Sequence, residues 1–475
     1  IGNENNMRRE VFIKKFKKAV QEGNAAVFAG AGTSVDAGFV NWKELVRSFS
    51  EEIELDVDKE TDLIGITQYY INSKSGNRGS LNQEIVDQLS SQEAETEVMN
   101  LLTRLPISTY WTTNYDKVIE NGLKKNNRRG DIKKKIQDLS VSISDSDAIV
   151  YKMHGDVESP NDAVISKDDY ERYSDKNSLF VTALRGDLVS KTFLFVGFSF
   201  EDPNLESILG KVNILLGDNK REHYCIQKQV SENEYEKKEE YDYAKIKQDL
   251  KIKDLQRYGI ETVLVNEYPE IPKLISKIEE EYLKNTIFIS GSISDYNDNW
   301  SEEKVDQFCY ELSRSLVSKN YKILSGFGLG IGSSVINGAL DEIYKTKYRH
   351  VSEHLGLFPF PQNINGEKPL DERWTENRER MISESGICIF IFGNKLVDGE
   401  IVPAPGMMEE FRIAKERGKV IIPIGSTGFA AKEIFDEMKE SGDYSYLNDY
   451  WNDLENEEDV IKVFNTINGI IEGVR

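Results

Sequence analysis

VFAGAGTS, residues Val27–Ser34, joins the end of an apolar run to two glycines and two hydroxyl side chains. The run, Ala25–Ala29, has the length and composition of a buried strand. Glycines permit a sharp turn and let backbone N–H groups approach a pyrophosphate, and a helix that follows such a turn presents its positive N-terminus. We therefore expect a strand, a turn and a helix here, with a site for a dinucleotide. Gly-x-Gly alone is a weak signal, so the site depends on later segments.

Composition limits the class of protein. With 475 residues, 39% of them hydrophobic, the chain is long enough for two or three domains with packed cores. Its formal net charge of −22 opposes binding to nucleic acid and to anionic membranes, since both require cationic surface. No apolar run approaches the roughly 18–20 residues of a membrane span, and residues 1–6 lack the apolar core of a signal peptide. We expect a soluble, cytoplasmic protein.

The three cysteines, Cys225, Cys309 and Cys388, are isolated in the sequence. They form no C-x-x-C pair, which argues against a structural zinc site and against a disulfide framework. We therefore expect no bound metal.

Short apolar runs alternate with longer amphipathic stretches, which is typical of a mostly parallel sheet flanked by helices. The strands predicted in the first half are Ala25–Ala29, Ile107–Thr113, Ala148–Met153, Phe193–Phe198 and Thr262–Val265. Those predicted after the alternation restarts near Lys284 are Thr286–Ser290, Tyr321–Leu324, Leu357–Phe360, Ile387–Phe392 and Val420–Ile424. The sequence thus predicts two Rossmann-like α/β domains, at residues 8–283 and 286–475. Within the first domain, Ser231–Asp254 is rich in Lys and Glu and is interpreted as a solvated helix.

Polar residues follow several of the first predicted strands. Asn114 and Asp116 follow the second, His154 follows the third, and Gly197–Ser199 follow the fourth. Ligands of open parallel sheets bind outside the carboxyl ends of the strands, so these residues should converge with the first glycine turn. Alternatively, Asn114 caps a helix that begins near Asp116. Asp116 itself is interpreted as a positioning residue or a cap.

Four motifs in this order resemble the NAD site of sirtuin-like domains, over about residues 8–283. They are Gly30-Ala31-Gly32-Thr33-Ser34, Thr113-Asn114-Tyr115-Asp116, His154-Gly155 and Gly197-Phe198-Ser199. The resemblance implies that Gly30–Ser34 cradle the pyrophosphate of NAD, that Asp116 belongs to the NAD-binding residues, and that Gly197 and Ser199 border the adenosine end. It also implies that Asn114 holds the ribose or the attacking water and that His154 acts as a base.

The departures from that family favour hydrolysis of NAD over protein deacylation. Deacylating sirtuins carry a four-cysteine zinc module, and many have Pro-Asp-Phe-Arg where this chain has Val40-Asn41-Trp42-Lys43. In NAD the nicotinamide ring is positively charged, so it is a leaving group that needs no general acid, and a histidine with a pKa near ~6.5 suits the base. A zinc-free deacylase and a non-catalytic nucleotide sensor are the alternative functions.

A second set of glycines follows the strand predicted at Tyr321–Leu324. Gly326, Gly328 and Gly330 alternate with other residues, which gives a permissive backbone suited to wrapping phosphates. Gly291 and Ser292 end the preceding strand, and Arg378 and Lys395 supply cations for an acidic ligand. Glu410, near the start of a helix, is either a surface residue or an acceptor for a ribose hydroxyl.

This second region resembles the SLOG superfamily of Rossmann-like nucleotide-binding domains. Pro405–Glu410 lacks the Gly-Thr pair of the hydrolytic members, which favours ligand sensing. By the resemblance, the ligand-binding positions are Gly291, Ser292, Gly326, Gly328, Gly330, Arg378, Lys395 and Glu410.

A sirtuin-like domain followed by a SLOG domain resembles the effectors of the bacterial Thoeris anti-phage system. The resemblance implies that a TIR-domain protein makes a cyclic ADP-ribose isomer upon infection and that this signal binds the SLOG domain. It further implies a homotetramer or filament in which the signal activates NAD cleavage, and NAD depletion that stops phage production. NAD is then the substrate, and no cofactor is expected.

Overall fold

The computed structural model describes residues 2–90 and 94–475. The chain forms two compact units, one ending at Glu279 and the other spanning Glu280–Arg475. The division lies inside the helix Glu270–Leu283, whereas the sequence pattern set the boundary just after that helix.

The first unit is built on a parallel sheet. Its strands are β1 (Ala25–Ala29), β2 (Thr109–Thr112), β3 (Gly130–Lys133), β4 (Ala148–Lys152), β5 (Thr192–Val196), β6 (His223–Lys228) and β7 (Ile260–Val265). The strand order is β3-β4-β2-β1-β5-β6-β7, and the pairings are parallel. Every residue of β1 is buried, because helices cover both faces of a sheet of this kind.

The helices of the first unit precede, connect and follow these strands, and the last of them continues past Glu279, where the unit ends. They are α1 (Gly2–Gln21), α2 (Trp42–Glu52), α3 (Leu63–Ser73), α4 (Gly79–Leu89), α5 (Glu97–Arg104), α6 (Val118–Lys125), α7 (Lys167–Lys176), α8 (Ser178–Ser190), α9 (Pro203–Leu216), α10 (Lys238–Gln256) and α11 (Glu270–Leu283). The Lys- and Glu-rich segment forms α10, as predicted, and most of its side chains are exposed.

The second unit has its own parallel sheet, in the order β10-β9-β8-β11-β14, and a separate antiparallel hairpin, β12–β13. Its strands are β8 (Thr286–Ser292), β9 (Lys322–Ser325), β10 (Leu355–Leu357), β11 (Ile387–Phe392), β12 (Asn394–Val397), β13 (Glu400–Pro403) and β14 (Val420–Pro423). Its helices are α12 (Glu302–Ser318), α13 (Gly332–Ile343), α14 (Val351–His354), α15 (Leu370–Ser383), α16 (Pro405–Glu416), α17 (Phe429–Ser441), α18 (Trp451–Asn456) and α19 (Val460–Gly473). The prediction of two Rossmann-like α/β sheets is confirmed.

Two details of the second unit differ from the predicted strands. β10 ends at Leu357 instead of continuing to Phe360, because Pro359 and Pro361 cannot donate to a strand ladder. The hairpin β12–β13 was not predicted, although its turn residues Asp398 and Gly399 are a known hairpin signal. Both have positive φ, 52° and 85°, as such a turn requires.

Among the described residues, no helix is both long and apolar enough to cross a membrane.

Candidate functional site

The sirtuin-like motifs lie at the carboxyl ends of four neighbouring strands. Gly30–Ser34 follow β1, Asn114 follows β2, His154 follows β4 and Gly197 follows β5. In the sheet these strands are adjacent, in the order β4-β2-β1-β5. The fold therefore brings together segments that are separated by up to about 170 residues in the sequence.

The first glycine turn presses against the end of β5. Gly30 N–H donates to Val196 O, and Gly32 N–H donates to Gly197 O, and both N···O distances are 2.9 Å. A Cβ on Gly30 would overlap Gly197 O, and one on Gly32 would lie 2.9 Å from Gly197 Cα. Gly197 itself has a φ of 61°. Glycine is required at these three positions by close backbone approach and, at Gly197, by the left-handed conformation.

The expectation that a helix follows this turn directly is wrong. Two short 3₁₀ turns follow instead, Ala31–Thr33 and Val35–Ala37, and the second ends at Gly38 with a φ of 87°. The α-helix begins only at Trp42, where the side chain of Asn41 caps it. Turns this short add few aligned peptide dipoles. A pyrophosphate here would depend on the exposed backbone of the loop and not on a helix N-terminus.

Asn114 contacts the glycine turn through its side-chain amide. Its Nδ2 donates to Gly30 O at 2.8 Å and to Ser34 Oγ at 3.2 Å. The alternative role of Asn114 as a helix cap is wrong, because Asp116 accepts the N–H of Val118, where α6 begins. Asp116 also accepts a 2.7 Å hydrogen bond from Ser34 Oγ. Asp116 thus accepts the first N–H of α6 from the position before the N-cap residue, Lys117, and supports the glycine turn.

His154 is 2% exposed and is enclosed by aromatic rings. Tyr170 and Tyr173, one helical turn apart on α7, pack edge-on against its imidazole at centroid distances of 5.3 and 5.6 Å. Its buried Nε2 has no hydrogen-bond partner and lies 3.5 Å from Asp202 Oδ2. Burial lowers the pKa of His154, and the Asp202 carboxylate opposes that shift. The imidazole is therefore neutral at pH 7.

A buried charged group, Lys152, lies next to this site and was not predicted from the sequence. Lys152 is fully buried, and its Nζ donates to the carbonyl oxygens of Tyr115 and Asp116 at 3.2 and 2.5 Å. It also forms ion pairs with Glu120 at 2.9 Å and with Asp156 at 2.5 Å. A lysine inside the apolar run 148–153 was the available signal. Asp202 was visible only as the residue before Pro203, which is the first residue of α9.

Of the other predicted positions in the first unit, Ala31, Gly32 and Ser199 are exposed, whereas Thr33 and Ser34 are buried. Thr33 Oγ1 donates to Gly30 O at 2.7 Å. The exposed members lie where a ligand could reach the loop.

The second glycine loop also presses against a neighbouring strand, but it leads straight into a helix. A Cβ on Gly328 would overlap Gly291 O, and one on Gly330 would overlap Ile293 O. Ile293 N–H donates to Leu329 O at 2.7 Å. Helix α13 begins at Gly332, immediately after the loop. This unit has the loop–helix arrangement that suits a phosphate.

Arg378 and Glu410 lie together beside this loop. Arg378 Nη1 pairs with Glu409 Oε2 at 2.8 Å, its Nε lies 3.5 Å from Glu410 Oε1, and its guanidinium lies 4.8 Å from the centre of the Phe360 ring. Glu410 accepts a 2.5 Å hydrogen bond from Ser290 Oγ.

Glu410 is 7% exposed, so its interpretation as a surface residue is wrong. Burial raises the pKa of Glu410 to about 7, against the opposing effects of the Ser290 hydrogen bond and the Arg378 charge. This carboxyl therefore changes its protonation state near neutral pH.

Lys395 lies on the exposed hairpin, in β12. Within residues 2–90 and 94–475, no hydrogen bond or ion pair joins it to Arg378 or Glu410. The hairpin begins at Asn394, whose Oδ1 accepts the N–H of Ser294 at 2.7 Å, and whose carbonyl accepts from Ser292 Oγ at 3.3 Å. The structure thus ties the start of the hairpin to the end of β8 and leaves Lys395 open to solvent.

The cysteines are buried and unpaired. Burial raises the pKa of the Cys225 and Cys388 thiols to about 12. In the part of the chain that the structure describes, no group of three or more His, Cys, Asp or Glu side chains is arranged to hold a metal ion.

Comparison with known families supports both resemblances. Residues 108–252 match the SIR2-like domain family, and residues 270–474 match the Sir2- and TIR-associating SLOG family, STALD. The sirtuin-like and SLOG resemblances are confirmed.

The chain is also similar to curated proteins. It is 44% identical over 471 residues to the NAD(+) hydrolase ThsA of Bacillus cereus (strain MSX-D12), with 98% of each chain covered. It is 45% identical over 445 residues to the NAD(+) hydrolase ThsA of Cytobacillus dafuensis, covering 92% of this chain and 90% of that one. A more distant relative is Defense-associated sirtuin 2 of Bacillus subtilis, 24% identical over 231 residues, covering 47% of this chain and 23% of that one. The chain therefore belongs to the ThsA family of NAD(+) hydrolases.

Proposed function

We propose that the first unit hydrolyses NAD+ to ADP-ribose and nicotinamide, and that a cyclic ADP-ribose isomer bound to the second unit activates this reaction. The observation that carries the proposal is the meeting of Asn114 with the glycine turn at adjacent strand ends, with the neutral His154 at the next strand. The family of NAD(+) hydrolases to which the chain belongs supports the same reaction.

The chemistry needs few groups. Nicotinamide leaves as a neutral molecule from a cationic linkage, so no general acid has to protonate it. Asn114 would hold the ribose or the attacking water, and His154 would accept a proton from that water or from a ribose hydroxyl. Its lowered pKa keeps the imidazole in the basic form at pH 7. Gly30–Ser34 would hold the pyrophosphate, Asp116 would support that turn from Ser34, and Gly197 and Ser199 would border the adenosine.

The burial of His154 supports a gated enzyme. At 2% exposure, with Tyr170, Tyr173 and Asp202 around it, the imidazole meets NAD only after these groups move. We therefore propose that this is a resting form. An ungated NAD hydrolase would deplete its own cell, and a bound signal that favours the open form would supply the control.

The second unit would bind the signal through the second glycine loop. Arg378 and Lys395 would meet its phosphates, and Glu410 would accept a hydrogen bond from a ribose hydroxyl. Gly291, Ser292, Gly326, Gly328 and Gly330 would border the ligand. A coupling of ~1–3 kcal/mol between the two sites is typical of such control and is larger when assembly amplifies it.

In the cell, this activity would serve anti-phage defence as a Thoeris effector. A TIR-domain protein would make the signal, the chain would act in the cytoplasm as a homotetramer or filament, and NAD loss would stop phage production. Two matches support this role. Residues 270–474 match a SLOG family described as associating with Sir2 and TIR domains, and a distant relative of the chain is Defense-associated sirtuin 2.

The test is to incubate the purified full-length protein with NAD+ and to measure nicotinamide release by chromatography, with and without a cyclic ADP-ribose isomer. We expect slow release alone and faster release with the isomer. A parallel reaction with an acetylated peptide examines the deacylase alternative, and O-acetyl-ADP-ribose in that reaction would support it. Absence of nicotinamide under every condition would favour the nucleotide sensor.

A further inference from the structure

Lys152 lies where the two strands that carry the proposed catalytic residues end. It is the last residue of β4 and pairs with Thr112, the last residue of β2. Two residues further along each strand direction come Asn114 and His154. The side chain of Lys152 is fully buried beside these segments. Its ammonium group can therefore hold both of them in place.

On the side of β2, Lys152 holds the backbone that follows Asn114. Its Nζ donates to Tyr115 O at 3.2 Å and to Asp116 O at 2.5 Å. The Asp116 carboxylate in turn accepts a 2.7 Å hydrogen bond from Ser34 Oγ, and Asn114 Nδ2 donates to the same hydroxyl oxygen at 3.2 Å. A displacement of the two carbonyl groups would therefore also move the contacts of the Asn114 amide.

On the side of β4, Lys152 holds the segment that follows His154. Its Nζ lies 2.5 Å from Oδ2 of Asp156, whose side chain is fully buried. The other carboxylate oxygen of Asp156 accepts the N–H of Glu158 at 2.9 Å, which fixes the turn that leaves His154. Glu120 is the second carboxylate that pairs with the ammonium group, at 2.9 Å.

The side chain of Lys152 stays charged in this environment. Burial acts to lower its pKa, but the carboxylates of Glu120 and Asp156 outweigh burial and raise the pKa. A buried ion pair is weak evidence for a contribution to stability, because apolar side chains of similar volume often serve as well. What distinguishes Lys152 is the position of its oxygen partners, which lie in the segments next to Asn114 and His154.

We propose that Lys152 is a positioning residue for NAD hydrolysis, which sets the geometry between the Asn114 amide and the His154 imidazole by tying the end of β2 to the end of β4. The proposal rests on the roles proposed above for Asn114 and His154. Lys152 acts through its oxygen partners and does not contact NAD. The expected effect is large, because a displacement of about 1 Å at a reacting group can lower a rate about 10²-fold.

The test compares two buried lysine–aspartate pairs. The second pair is on β3, where Lys133 is 5% exposed and lies 2.9 Å from Asp131. Lys133 also donates to Val141 O, so these partners lie outside the segments that follow β2 and β4. One variant combines Lys152→Met with Asp156→Asn, and the matched control combines Lys133→Met with Asp131→Asn. Each removes one buried lysine together with its aspartate partner.

We expect both variants to unfold at a lower temperature and only the Lys152 variant to lose activity. Its kcat for nicotinamide release should fall about 10²-fold, whereas the Lys133 variant should stay within about threefold of the wild type. The KM for NAD+ should change less than about threefold in both, since a lost orientation lowers kcat and leaves binding intact. The glycine turn keeps its own hydrogen bonds to Val196 and Gly197.

The rates are measured under the conditions that give the highest wild-type rate, well below the unfolding midpoint of every variant. Lost activity then does not reflect unfolded protein. Equal losses of kcat in the two variants would overturn the proposal, because the lysine would then contribute only to stability. A wild-type kcat in the Lys152 variant would overturn it as well.

If the Lys152 variant does not fold, Asp156→Asn and Asp131→Asn are compared in the same way, because each preserves the shape of the side chain. We expect a kcat about tenfold lower in Asp156→Asn alone, and equal kcat values would overturn the proposal. Full activity of a folded His154→Ala protein would instead refute the proposed catalytic roles, so the two failures are distinguished.

Discussion

The two units share one backbone feature, a glycine-rich loop packed against a neighbouring strand, but differ in what surrounds it. In each, a glycine-rich loop leaves a central strand and presses against the end of the neighbouring strand, Gly32 against Gly197 and Gly328 against Gly291. The first loop continues in short 3₁₀ turns, whereas the second opens α13 directly. In our proposal both loops support a nucleotide, so the loop does not by itself decide between reaction and binding.

The side chains at the adjacent strand ends make the difference. The first unit places an amide and a neutral imidazole there, which can position water and accept a proton. The second places a guanidinium, Arg378, beside a buried carboxyl, Glu410, and these two groups can bind a phosphate and a ribose hydroxyl. The groups around the loop, and not the loop itself, therefore separate the proposed enzyme from the proposed sensor.

The largest effect is expected for the first unit. His154→Ala should lower the rate of nicotinamide release about 10²–10⁴-fold, the usual contribution of a general base. Asn114→Ala should have a comparable effect. The measurement is the initial rate with saturating cyclic ADP-ribose isomer, and His350→Ala, at an exposed histidine, is the control. Full activity in a folded His154→Ala protein would remove the distinction between the units.

A smaller effect is expected for the second unit. Arg378→Ala should raise the concentration of isomer needed for half-maximal activation about 10–100-fold, because the partly buried cation that we propose for a phosphate of the isomer is lost. The reaction rate at very high isomer concentration should stay close to that of the wild type. Arg380→Ala on the same helix is the control, since Arg380 lies over a different ring, Phe358, at 5.4 Å. Undiminished activation of Arg378→Ala at low isomer concentration would refute the assignment of the sensor.

The smallest effect is a pH dependence of signal binding. The pKa of Glu410 is about 7, so its carboxylate fraction rises between pH 6 and 8. A carboxylate accepts hydrogen bonds from ribose hydroxyls more strongly than a carboxylic acid does, so affinity should increase with pH, by up to about tenfold over this range. Calorimetric titration should show this slope in the wild type and in Glu416→Gln, and a flat profile in Glu410→Gln. A slope that persists in Glu410→Gln would assign the titration to another group.

The sequence was most informative where strands are continuously apolar. β1 and β11 have the predicted bounds, because AAVFA and ICIFIF are buried on both faces of their sheets. β3 was missed because two of its four residues are charged. In the fold, Asp131 and Lys133 neutralise each other in a buried ion pair at 2.9 Å. A pattern of hydrophobicity cannot reveal a pairing of that kind.

The sites follow the same rule. Motifs that depend on one segment, such as the glycine loops, were visible in the sequence. Groups whose environment comes from distant segments were not: Glu410 is buried by contacts with Ser290, 120 residues away. Likewise, Asp202 lies between β5 and α9, 48 positions after His154, and only the fold brings its carboxylate to 3.5 Å from the imidazole.

The most direct test of the division between the units is to titrate a cyclic ADP-ribose isomer into the His154→Ala protein by calorimetry while monitoring nicotinamide. We expect the isomer to bind His154→Ala with the wild-type affinity and almost no nicotinamide to be released from added NAD+. Loss of isomer binding in a folded His154→Ala protein would contradict it, because the signal would then bind in the first unit.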